Sequence, residues 1–101
     1  MSSTGKMSEK QMYEARLDAD IRELNARIEL LRARTAKAAV QTRMAIGREL
    51  DRLAEQKSAL AGRLDELRGL GEAGWEKLRD AVNSAKREVA DGLEAVAAKL
   101  R

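Results

Sequence analysis

The sequence predicts an all-α protein: a long heptad-repeat helix followed by a shorter amphipathic helix, assembled as a coiled coil or helical-hairpin bundle and oligomeric. Three observations carry this. Apolar residues recur at alternating steps of four and three through most of the chain, the pattern of a helix with one narrow apolar seam. No proline interrupts the 101 residues. Charged residues of both signs make up 37 % of them, which suits long exposed helix faces.

The first element is a tail, residues 1–7, small and polar with little to bury and expected to be disordered. A helix start follows. Ser8 is placed as N-cap with Gln11 as its capping-box partner, and Met7 and Met12 occupy the two positions of a hydrophobic staple.

The long helix is expected over residues 8–68. Its seam is Leu17, Ile21, Leu24, Ile28, Leu31, Ile46, Leu50, Leu53, Leu60, Leu64 and Leu67. Gly47 and Gly62 interrupt it at about 1 kcal/mol each, which a long packed helix absorbs. About sixty residues of helix would reach about 90 Å, so the helix either extends or folds back. Leu31, Thr35, Ala39, Thr42 and Ile46 step four, four, three and four, which is a stutter in the heptads. The seam is thinnest there and should be least stable there.

Gly69, Gly71 and Gly74 mark the next element, a hinge or turn over residues 69–74. Gly69 is a candidate for the left-handed position that closes a helix. A continuous helix is the other reading, since Leu67, Gly71, Trp75 and Leu78 keep a helical phase through a second stutter. The last element, residues 75–101, resumes the seam as an amphipathic helix with Trp75, Leu78, Val82, Ala85, Val89, Leu93, Val96 and Leu100. Folded back on the Ile46–Leu67 stretch, it would leave the Leu17–Leu31 seam uncovered. Two or more copies would then associate through that seam, so a homo-oligomer is expected.

Composition narrows the chemistry. The chain has no cysteine and no histidine, which removes disulfides, thiolate and imidazole catalysis, and the usual zinc sites. Pairs such as Asp18 with Asp20, or Asp65 with Glu66, point to different sides of a helix or lie in solvent, and general acid–base work needs a closed pocket. No catalytic residue, metal ligand or cofactor site is expected. No apolar run approaches the roughly 20 residues that span a bilayer. The first residues lack a secretory core, so a cytoplasmic location is expected.

The charge is uneven. Between Glu29 and Glu49 no acid occurs, while Arg32, Arg34, Lys37, Arg43 and Arg48 all fall there, giving +5 in a chain of net +3. These five are the candidate anion-facing residues. On a straight helix they form no single stripe, with Arg32 and Arg43 beside the seam and the others turned away. No aromatic interleaves them, so nucleic acid is not the expected partner. A protein partner or an anionic membrane surface remains. Trp75 and Tyr13, the two aromatics, each lie near a helix start, and Trp75 is read as capping or anchoring the seam. Elsewhere, Asp18 with Arg22, Glu23 with Arg27 and Glu29 with Arg32 have the spacing of helix-surface pairs worth about 0.2–0.5 kcal/mol each.

The segment Ala73-Gly74-Trp75-Glu76-Lys77-Leu78-Arg79-Asp80-Ala81-Val82, with Ala85 and Leu93 beyond it, resembles a small bacterial coiled-coil stress-response family first named in cyanobacteria. Tyr13 and the Leu17–Leu31 heptads match that family's N-terminal pattern. The basic balance and the three glycines depart from it. The resemblance implies a role in stress or envelope physiology, and neither catalytic residue nor cofactor. The function expected from the sequence is non-enzymatic self-assembly, as a scaffold or adaptor. The alternative is peripheral binding to anionic membrane through the basic segment and the C-terminal helix.

Overall fold

The computed structural model describes residues 8–101, and the expected tail over 1–7 lies outside them. Three helices follow one another: α1 (Glu9–Thr35), α2 (Val40–Gly69) and α3 (Glu72–Lys99). They run up, down and up along a rod of 60 × 23 × 17 Å. No strand occurs among the described residues.

The helix expected over 8–68 is two helices. It breaks at Ala36–Ala39, where α1 turns back into α2. Local propensity argued for continuity, since alanine and lysine are strong helix formers. Tertiary burial overrides it. A straight helix leaves its seam in water, whereas a turn at the thin Thr35–Thr42 stretch lets each half cover the other. Burying a leucine or isoleucine contributes about 1.5–3 kcal/mol, and the turn brings many together at once.

The consequence is one core within one chain. Leu17, Leu24, Ile28 and Leu31 of α1 are buried with Ile46, Leu50, Leu53, Leu60, Leu64 and Leu67 of α2. Trp75, Val82, Val89, Leu93 and Val96 of α3 complete it, and Ile21 and Leu78 pack half-buried against it. The N-terminal seam that was expected to stay open is therefore covered by the chain itself. The buried Thr35 satisfies its hydroxyl by donating to the Leu31 carbonyl at 2.6 Å, and no buried side-chain polar atom lacks a partner among the described residues.

Helix α1 starts at a full capping box: the Gln11 N–H donates to Ser8 Oγ at 3.1 Å and the Ser8 N–H to Gln11 Oε1 at 3.0 Å. The staple partner Met7 lies outside the described residues. Between α2 and α3 the chain turns through Leu70 (φ −90°, ψ 150°) and Gly71 (φ −78°, ψ 179°), both extended. Gly69 stays in helix, so the left-handed closure expected there is not used. Gly92 matters more than the three turn glycines. A Cβ built on it would lie 2.5 Å from Leu53 Cδ2, so its missing side chain lets α3 approach α2.

Candidate anionic-surface interface

The break at Ala36–Ala39 gathers the basic window at one end of the rod. Arg32 and Arg34 close the last turn of α1, where cations complement the helix dipole. Lys37 lies in the turn, and Arg43 and Arg48 follow in the first two and a half turns of α2. The turn folds the five back toward one end of the rod, and two of them, Arg32 and Arg43, line a common cleft. Arg32 donates to Asp51 at 3.0 Å across the hairpin. Arg34, Lys37, Arg43 and Arg48 make no ion pair among the described residues.

The start of α2 adds to this positive end. Ala39 supplies no side-chain cap, and the first turn has no acid. Its first N–H groups therefore face outward, carrying the positive pole of the helix. Arg43, close to that pole, costs rather than adds stability, by about 0.3–1 kcal/mol in ordinary settings.

Apolar side chains accompany the charge. Leu30, Val40 and Met44 are each more than half exposed, and all three flank the hairpin turn. Between the two helices a cleft of about 210 Å³ is lined by Arg32, Arg43, Thr35, Ala36, Gly47 and Leu50. The end thus presents cations round a small apolar floor.

A second cationic region lies in the α1–α3 groove, and reading the sequence alone missed it. Arg16, Arg79, Lys86 and Arg87 line a cleft of about 560 Å³ with Tyr13, Asn83 and Ala90. Its signal was present in α3, where Arg79, Asn83, Lys86 and Ala90 recur at three and four. Their meeting with Arg16 of α1 required the fold. This region is partly neutralised: Lys86 pairs with Asp20 at 2.8 Å, and Arg79 lies 5.3 Å over the Trp75 ring with Asp80 at 3.7 Å. Tyr13 seals its end, donating its hydroxyl to Asn83 Oδ1 at 2.7 Å and packing 5.7 Å from Trp75. Burial pushes the Tyr13 hydroxyl above its ordinary value of 10.0; Arg79 opposes the rise, while Asp20 and Asp80 add to it.

The carboxylates weighed for catalysis all hold ion pairs. Asp18 meets Arg22, Asp65 meets Arg68 and Glu66 meets Arg63, with Asp20 on Lys86. No group of three or more acidic, histidine or cysteine side chains suited to a metal occurs among the described residues. Two of the three expected helix-surface pairs are replaced by bridges between helices. Arg27 turns from Glu23 to Glu94 of α3 at 3.2 Å, and Arg32 from Glu29 to Asp51. The fold offers these arginines partners that local spacing could not reveal. None of the described helices is long and apolar enough to cross a membrane. Set beside known protein families, curated proteins and solved structures, the chain matches none of them.

Proposed function

We propose that this chain is a non-enzymatic helical adaptor that docks on anionic membrane surfaces through the hairpin end of α1 and α2. The observation that carries it is the gathering of Arg34, Lys37, Arg43 and Arg48, unpaired, beside exposed Leu30, Val40 and Met44. Cations draw the end to lipid phosphates, and the apolar side chains enter the headgroup boundary. A role in stress or envelope physiology, as the resemblance of the Trp75 segment implies, would be compatible with this. Self-assembly as a scaffold was motivated by an open seam. With that seam covered inside the chain, self-association needs another route.

Co-sedimentation with vesicles tests the proposal. The wild-type chain binds vesicles rich in anionic lipid, not neutral ones, and added salt releases it. Each basic residue near such a surface contributes about 1 kcal/mol. Replacing Arg34, Lys37, Arg43 and Arg48 together with Glu therefore weakens binding by at least roughly a hundredfold. The control is Arg16→Glu with Arg87→Glu in the other cleft, which leaves most of the binding in place. No vesicle binding at low salt, or loss through the control pair alone, refutes the assignment.

A further inference from the structure

We propose that the Ala36–Ala39 turn is a hinge, and that by straightening it a second copy of this chain exchanges helices with the first. The product is an antiparallel domain-swapped dimer with one continuous helix per chain in place of α1 and α2.

The turn contains Ala36, Lys37, Ala38 and Ala39, four residues with high helix propensity and none of the usual turn chemistry. The turn begins as a continuation of α1. Ala36 has φ −60° and ψ −22°, and its N–H still donates to the Arg32 carbonyl at 3.0 Å. The Lys37 and Ala38 N–H groups donate to the carbonyls of Arg34 and Thr35, the bonds of a tightened last turn. Ala39 carries the reversal, with φ −60° and ψ 155°. Its φ is that of a helix, so its return to helix is a rotation about ψ alone. No side chain caps α2 at this point, so the turn residues themselves hold no side-chain lock, and the Arg32–Asp51 bridge across the hairpin can form equally between two copies. The second turn differs: Leu70 and Gly71 are both extended, and three glycines within six residues disfavour helix there.

Straightening also preserves the packing. In the closed chain α1 and α2 are antiparallel, with Arg32 opposite Asp51 at one end and Arg68 beside Gln11, Glu14 and Asp18 at the other. Two straightened chains related by a two-fold axis beside the turn make these same pairings between copies. No new surface has to be invented. Leu31, Thr35, Ala39, Thr42 and Ile46 keep the seam in phase through the join. Each α3 stays tied to its own α2 by the glycine turn.

Charge opposes the exchange. The axis brings together two copies of the +5 window, so at low salt the closed monomer is favoured. Screening relieves this, because the Debye length falls from about 10 Å at 0.1 M to about 3 Å at 1 M. Dimer should therefore increase with salt, the reverse of the vesicle binding proposed above. The two readings can thus fail separately.

The test uses the full chain, refolded from denaturant at low and high protein concentration and at low and high salt. Size-exclusion chromatography with light scattering gives mass, and small-angle X-ray scattering gives length. The expected result is a monomer when dilute. While dimer is the minor species, its fraction rises about in proportion to concentration, and it rises again with salt. The dimer's rod is about 90 Å or longer, from 61 residues of continuous helix, against 60 Å for the closed chain. Val40→Pro should remove the dimer and keep the helix content. Proline is accepted at a first helical position after an extended residue, as here, but breaks a helix interior. A second measurement does not depend on that variant. The chain lacks cysteine, so a Gln11→Cys chain refolded with an Arg68→Cys chain is joined by a short bifunctional thiol cross-linker within the dimer only if helices are exchanged. A wild-type chain that stays monomeric under every condition overturns the proposal. So does a dimer that the cross-linker does not join, or one that persists in a folded Val40→Pro variant.

Discussion

The two ends of the rod are built on opposite principles. At the end formed by the start of α1, the glycine turn and the start of α3, Ser8 caps its helix, Tyr13 packs on Trp75, and Arg79 covers the indole ring. At the hairpin end no aromatic is present, and Arg34, Lys37, Arg43 and Arg48 make no ion pair among the described residues; neither α2 there nor α3 at the first end has a side-chain cap. Both ends expose apolar side chains, Met12 and Leu70 at the first and Leu30, Val40 and Met44 at the second. What separates them is the balance of charge: Glu9, Glu72 and Glu76 stand among the cations of the first end, whereas no acid lies between Glu29 and Glu49. The buried core runs the whole length of the rod, with the aromatics adding to it at one end and the unpaired cations standing at the other.

Substitutions should divide along the same line. The largest effect belongs to Trp75→Ala, which removes the buried anchor of the aromatic end. It should destabilise the fold by about 3–5 kcal/mol in denaturant unfolding, whereas Lys37→Glu at the hairpin end stays within about 0.5 kcal/mol. Equal losses would erase the distinction between the ends.

A middle-sized effect tests the packing between them. Gly92→Val forces a side chain against Leu53 and should cost about 1–3 kcal/mol. Gly62→Ala meets nothing within 4 Å and should instead add up to about 1 kcal/mol through helix propensity. Thermal melting of the two variants in opposite directions is the expected outcome.

The smallest effect is at Tyr13. Tyr13→Phe loses the bond to Asn83, worth about 1 kcal/mol. The wild-type hydroxyl also titrates. Its folded pKa lies above the unfolded value of 10.0, so the folded state holds its proton more tightly. That stability is fully present below pH 10 and is lost as pH rises through the raised folded value. Unfolding measured from pH 9 upward should show an extra decline in the wild type that Tyr13→Phe lacks.

Much of the core was legible from residue spacing, because a seam at steps of four and three names the side chains that must face another helix. Leu24, Ile28, Leu53 and Leu64 needed no structure to be singled out. Spacing does not say whose helix they face. That depends on Ala36–Ala39, where propensity argues for helix and only the summed burial of distant leucines argues for a turn. The basic residues were visible one by one, yet their gathering at one end followed from that same turn. Gly92 carried no local signal, since its role depends on Leu53 arriving opposite. The Arg16–Arg87 groove was hidden for the same reason, its two sides lying more than sixty residues apart in sequence.

The reversal at Ala36–Ala39 underlies the core, the basic end and the hinge, and one distance tests it. Cysteines introduced at Gln11 and Arg68, which share a surface cleft in the folded chain, would carry a donor and acceptor dye for single-molecule energy transfer in dilute solution. The predicted result is high transfer within a single chain, from two dyes held on neighbouring helices. Transfer near zero, matching the roughly 85 Å that 57 residues of straight helix would place between them, would contradict the account.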